Sequence, residues 1–154
     1  MAADLAGPAL IADASAVIPF VVRQTQTPWV LPLFNGALEI GAPDLIIAEF
    51  ASTLRTLCRK AEFEPDDARV ALNVAQARLG QIFGSAPLAD RALELALAHD
   101  HPAYDCFHVA LAERERLPLV TCDRRLAGTF AAVTEIRLLG PAPAPAAPKP
   151  RRRR

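Results

Sequence analysis

No pair of cysteines stands at a spacing suited to structural zinc. Cys58, Cys106 and Cys122 are an odd number, scattered along the chain without a CxxC step or a Cys/His pattern. That excludes the zinc-finger and zinc-ribbon classes and predicts reduced, mostly buried thiols in a cytosolic protein. Long apolar runs are missing too. Residues 1–22 are rich in apolar side chains, but they lack a basic start and are interrupted by Asp4 and Asp13, so they fail as a secretory signal. No stretch reaches the roughly 18 uncharged apolar residues of a membrane-spanning helix, and no membrane role is expected. Lysine is scarce as well, with only Lys60 and Lys149 present.

An excess of positive charge is absent from the body of the chain. The formal net charge is zero, but all five charges after Gly140 are positive, Lys149 and Arg151 to Arg154; without them 12 basic residues face 17 acidic ones. A passive nucleic-acid binder usually carries a basic footprint. An acidic body suits a carboxylate cluster that takes cations. What is present in quantity is apolar surface, at 52% of 154 residues against 22% charged. That is an ordinary globular composition, with room for one domain and a well-formed core.

Short apolar runs alternate with helical patterns. Pro8 to Ala12 reads as a strand ending at Asp13, with Ser15 placed to cap a helix through Ile18 and Val22. Pro28 to Phe34 reads as a short helix and Ala37 to Ala42 as a second strand. Asp44 is expected to cap a long amphipathic helix reaching about Lys60, in which Leu45, Ala48, Ser52, Leu54, Leu57 and Cys58 recur near helical spacing. Pro65 opens a helix to about Leu79, Gln81 to Phe83 is a third strand, and Pro87 to Ala98 is helical. A further helix begins near Tyr104, Leu117 to Thr121 is a buried strand ending at Asp123, and Glu135 to Leu138 is a last strand. The pattern predicts an α/β fold: one domain over 8–140, with a mostly parallel central sheet flanked by helices. The low-complexity segment 141–154 is expected to be a disordered basic tail.

Asp13 and Asp123 directly follow predicted buried strands, and open parallel sheets bind ligands outside the carboxyl ends of their strands. Asp105 opens a helix and Glu49 lies one turn into another. Taken singly, Asp13 and Asp105 read as helix caps, Asp123 as the start of a turn and Glu49 as a solvated helix residue. The apolar neighbours of Glu49 argue instead for a cleft position. Converging without a cation, the four would repel one another. All-oxygen ligation favours Mg2+ or Mn2+ over zinc, and metal-assisted phosphodiester hydrolysis is the natural reaction. His108, three residues after Asp105 on the same helix face, could stand near a metal but reads more readily as a packed or partly exposed histidine, and His99 and His101 read as loop residues. Arg55, Arg59, Lys60, Arg124 and Arg125 serve equally as phosphate contacts or a solvated face.

The words IADAS, PDLIIAEFASTLRT, YDCFHVALAER and LPLVTCDRRLA, in this order from about Leu10 to Ala127, resemble the successive blocks of PIN-domain ribonucleases of the VapC toxin type. The resemblance implies a PIN-like domain and a metal-dependent endoribonuclease whose acids are Asp13, Glu49, Asp105 and Asp123. It implies that Ser15 and Thr121 support the site through their hydroxyls. It also implies in-line attack by a metal-activated water, an RNA substrate, a cognate antitoxin, a homodimer and a cytoplasmic location. Helices around Pro28 to Phe34 and Leu45 to Leu57 are the expected dimer surfaces. Cys106 and Cys122 stand where such blocks usually have small residues, and the tail is not part of the pattern.

Other readings stay open: an RNA-processing or DNA nuclease using the same carboxylates, or a noncatalytic RNA-binding module on this fold. A phosphoacceptor receiver or DxDxT phosphatase fits poorly, because DAS at Asp13 lacks the second Asp and neither lysine follows a strand.

Overall fold

The computed structural model describes residues 7–141; the first six residues and 142–154 of the predicted tail lie outside them. Five strands form a single sheet in the order β3-β2-β1-β4-β5, every neighbouring pair parallel. They are β1 (Leu10–Ala12), β2 (Ile40–Pro43), β3 (Gln81–Phe83), β4 (Leu119–Thr121) and β5 (Ile136–Leu138). The three central strands are buried throughout, while β3 and β5 are partly exposed edges. Burial on both faces is why these strands read as unbroken apolar runs rather than alternating ones.

The period-2 geometry of a strand sends successive side chains into two separate cores. Leu10, Ala12 and Val120 pack on one face with α1 (Ala14–Val21), α2 (Thr27–Phe34), α3 (Leu45–Arg59) and α4 (Pro65–Arg78). Ile11 and Leu119 pack on the other with α5 (Ala89–His99), α6 (Ala103–Glu115) and α7 (Arg124–Phe130). Close approach of the elements leaves little room at Gly41, where a Cβ would meet Ile11 Cδ1 and the Phe83 ring at 3.0 Å.

Several local expectations are corrected. Asp13, not Ser15, is the N-cap of α1, its carboxylate accepting from the Ala16 amide; Ser15 lies inside the first turn. Asp44 makes no side-chain cap on α3, because Ser85 donates to its carboxylate through both amide and hydroxyl, tying the end of β3 to the end of β2. The buried stripe of α3 is Ile46, Phe50 and Leu54, at strict i, i+4 spacing, whereas Ala48 and Ser52 face outward. Strand β2 begins at Ile40 rather than Ala37, and the helix expected from Pro87 opens as a 3-10 turn, Ala86–Leu88, before α5. Of the three thiols only Cys106 is buried; Cys58 and Cys122 are half-exposed.

Candidate functional site

Parallel strands deliver their carboxyl ends to one edge of the sheet, and β1 and β4 are neighbours there. Asp13 follows β1 at the point where the chain turns into α1, and it is 6% exposed. Its Oδ1 accepts from Ser15 Oγ at 2.7 Å and from the Ala16 amide at 3.0 Å, and its Oδ2 accepts from Thr121 Oγ1 at 2.6 Å. The two hydroxyls also accept backbone N–H groups from the β4 exit: Cys122 to Ser15 Oγ and Asp123 to Thr121 Oγ1, both at 2.9 Å. One short network thus fixes the Asp13 carboxylate and the path of the chain toward Asp123. Burial pushes the Asp13 pKa up, more than the positive side of His108 and the hydroxyl and amide donors pull it down.

The remaining acids come from helices. Glu49 lies on α3, and its Oε2 accepts from Nε2 of His108 on α6 at 2.8 Å. Asp105, in the first turn of α6, accepts at Oδ2 from His101 Nε2 at 2.9 Å. A carboxylate can only accept, so the bonding proton belongs to the imidazole in each pair. The Asp105 carboxyl is raised by burial, against the pull of His101 and His108, and Asp123 raises it further. Burial lowers the His108 pKa, but the hydrogen bond and charge of Glu49, with Asp13 and Asp105 beyond, outweigh it and leave the ring more basic than usual. Asp123 caps α7, its Oδ1 accepting from the amides of Arg125 at 2.7 Å and Leu126 at 3.1 Å.

The hydrogen bonds form three separate groups: Asp13 with Ser15, Thr121 and the Asp123 amide, Glu49 with His108, and Asp105 with His101. Charge connects them, since His108 acts on both Asp13 and Asp105, and Asp123 acts on Asp105. Each acid is held by its own partner, and among the described residues no three His, Cys, Asp or Glu side chains are close enough to hold one metal ion as they stand. The donor chemistry nevertheless fits a hard divalent cation, being all carboxylate oxygen, and two of the four are raised by burial that a cation would offset. A cleft of about 520 Å3 opens beside Glu49, walled by Ala14, Leu45, Ala48, Ser52, Thr53 and Tyr104, the last 70% exposed. A second hollow, of about 300 Å3, lies against Ser15, Gln24, Gln26 and Asp123. Arg55, Arg59, Lys60, Arg124 and Arg125 are all exposed.

The sequence reading weighed a place near metal for His108 but paired neither buried histidine with an acid. His101, expected in a loop, does precede a helix, but it is buried and packs edge-on against Phe130 with ring centroids 5.0 Å apart. Its spacing to Asp105, i to i+4, was the available signal. His108 faces Glu49 from another element, and nothing local in the sequence announces that pairing.

A parallel α/β sheet with carboxylates at the carboxyl ends of its strands defines a class of α/β domains with an acidic edge, and comparison with known proteins narrows it. Residues 10–131 match the PIN domain family. The chain belongs to that family, within its VapC ribonuclease group: it is 30% identical over 126 residues to Ribonuclease VapC3 of Pyrobaculum aerophilum, covering 80% of this chain and 96% of that one. It is also 30% identical over 131 residues to Ribonuclease VapC1 of Mycobacterium tuberculosis, covering 84% and 96%. Among solved structures, the Mycobacterium tuberculosis toxin VapC20, described as cleaving the sarcin-ricin loop, has the same fold: TM-score 0.64, 16% identity, 83% of this chain and 98% of that one. So does VapBC2 from Rickettsia felis bound to promoter DNA, at TM-score 0.62 and 14% identity, over 85% and 98%.

Proposed function

We propose that this protein is a metal-dependent endoribonuclease that hydrolyses RNA phosphodiester bonds, and that it is the toxin of a toxin–antitoxin pair. The observation that carries the reading is the acid edge, where Glu49 lines one hollow and Asp123 the other, Asp13 and Asp105 stand nearby, and none of the four meets an Arg or Lys side chain among the described residues. The relatives named as VapC ribonucleases support it.

The four carboxylates are the residues that would hold Mg2+ or Mn2+. When bound, the ion supplies the positive charge that orients a water and neutralises the phosphodiester. The chain's own residues prepare that site. Ser15 and Thr121 hold Asp13 by both oxygens and fix the approach of Asp123. Asp123 has one oxygen engaged in capping α7. Exposed Arg55, Arg59, Arg124 and Arg125 offer contacts to RNA phosphates at the rim.

The nuclease domain is residues 8–140, and the basic segment 141–154 adds sequence-independent attraction to RNA. The protein acts in the cytoplasm, where its RNA substrate is. No helix among the described residues is long and apolar enough to cross a membrane. The partners are a second copy of the chain and a cognate antitoxin. Exposed Val70 and Val74 on α4, beside Phe20 and Phe63, form an apolar patch suited to a protein partner, and Trp29 on α2 is another exposed apolar side chain.

The test is cleavage of mixed RNA by purified protein, with and without Mg2+ or Mn2+, alongside Asp13→Asn and Asp105→Asn. Metal-dependent cutting that both variants lose is expected. Binding of RNA without cutting under any metal would replace the enzyme with a binding module.

A further inference from the structure

Two imidazoles stand inside the acid edge with no part in the chemistry above. The His108 side chain is 0% exposed and that of His101 is 1% exposed. Each meets one carboxylate through Nε2, Glu49 at 2.8 Å and Asp105 at 2.9 Å, and Nδ1 of each ring is buried without a hydrogen-bond partner among the described residues. The carboxylate is therefore the one hydrogen-bonded neighbour of each ring. As space filling this is a poor design: an orphaned buried nitrogen costs stability, and an apolar side chain of similar volume would pack without it.

What the rings do accomplish is geometric. Glu49 is a long, rotamer-rich side chain, 24% exposed, on a helix that does not otherwise fix it. The His108 bond removes that freedom by tying α3 to α6. Each imidazole takes one oxygen and leaves the other, Glu49 Oε1 and Asp105 Oδ1, without a hydrogen bond among the described residues. Asp13 differs, because its own strand exit and hydroxyls hold both its oxygens.

We propose that His108 and His101 are positioning residues that hold Glu49 and Asp105 by one oxygen each and present the other to a divalent cation at the acid edge. The proposal rests on the nuclease reading. Partners that orient a metal-binding carboxylate commonly govern metal affinity without touching the ion. His108 carries the larger share, since its bond spans 59 residues of sequence and two helices, whereas His101 and Asp105 are four residues apart.

Manganese binding to the full-length protein, followed by electron paramagnetic resonance of the free ion, tests this apart from turnover. His108→Leu should weaken binding by roughly 10- to 100-fold, with the melting temperature in metal-free buffer unchanged or raised. His108→Gln, which keeps an N–H donor at similar reach, should recover most of that loss. In a Glu49→Gln background His108→Leu should add nothing, and His101→Leu should likewise act only through Asp105. Wild-type affinity in a folded His108→Leu protein, or an undiminished further loss in the Glu49→Gln background, overturns the proposal. A wild-type protein that binds manganese and cuts RNA while His108→Leu is indistinguishable sinks this inference alone. One that does neither removes the nuclease reading and the inference with it.

Discussion

On the outer face of the α5–α6 hairpin, Glu113 meets two nitrogens of Arg91, at 2.7 and 2.8 Å, and Glu94 meets a third at 3.1 Å. At the carboxyl ends of β1 and β4, Asp13 meets two hydroxyls and an amide, Asp105 and Glu49 each meet an imidazole, and Asp123 meets backbone N–H groups. The first set is exposed and receives its cation from the chain, so the Arg91 hydrogen bond holds Glu113 below the usual carboxylate range. The second set is more deeply placed and meets imidazoles and hydroxyls but no Arg or Lys side chain; burial pushes Asp13 and Asp105 above that range. The same residue type is thus stabilised in one region and destabilised in the other. The destabilised region is the one proposed above to take a cation, which would offset that burial.

Substitutions that remove charge from the two regions should separate them most. Asp13→Asn or Asp105→Asn is expected to lower metal-dependent RNA cleavage by at least about 100-fold, the upper end of what losing even an outer metal partner does, read from initial rates on a labelled RNA. Thr121→Val takes the donor from Asp13 Oδ2 and the acceptor from the Asp123 amide. It should cost about 1–3 kcal/mol of stability in chemical denaturation and reduce cleavage roughly 10-fold or more.

The pH behaviour of the two regions should have opposite signs. Asp13 has a raised pKa, so folding favours its protonated form: its contribution is complete below the ordinary carboxylate range and lost as pH rises through the raised value. Metal-free protein should therefore melt at a higher temperature as Asp13→Asn than as wild type at neutral pH, although the variant is inactive. Added Mg2+ should stabilise wild type more than the variant. Glu113 has a lowered pKa, and its contribution is present above its ordinary range and lost as pH falls. The smallest effect belongs to Arg91→Ala. This pair is over a third exposed on both sides or nearly so, and solvent screening limits its loss to roughly 1 kcal/mol or less by thermal melting, with cleavage unchanged.

The strands and most helices were legible because burial on both faces leaves apolar runs, and because Pro65 marks a helix start in any context. What escaped depended on choices between near neighbours. Asp13 and Ser15 are both good caps, and the structure uses the residue that already ends the strand. Asp44 is a good cap as well, but the β3 exit brings Ser85 within its reach, and the tertiary bond replaces the local one. On α3 nearly every residue from Leu45 to Ala51 is apolar save Glu49, so composition alone does not distinguish the Ile46–Phe50–Leu54 stripe. Helix α7 was hidden behind Asp123, whose capping role was read as a turn. The four acids were visible through their positions after strands and within the VapC-like blocks. His108 could be placed on the Asp105 face, but its partner could not, since Glu49 and His108 meet only once α3 and α6 pack.

The most direct measurement is cleavage of 5′-labelled RNA by wild type and Asp13→Asn, first in chelator and then with excess Mg2+ restored. Cutting that is absent in chelator, returns with Mg2+, leaves 5′-phosphate and 3′-hydroxyl ends, and is lost in Asp13→Asn is the predicted result. Cutting that persists in chelator, or that Asp13→Asn retains in full, would contradict the assignment of the acid edge as the catalytic site.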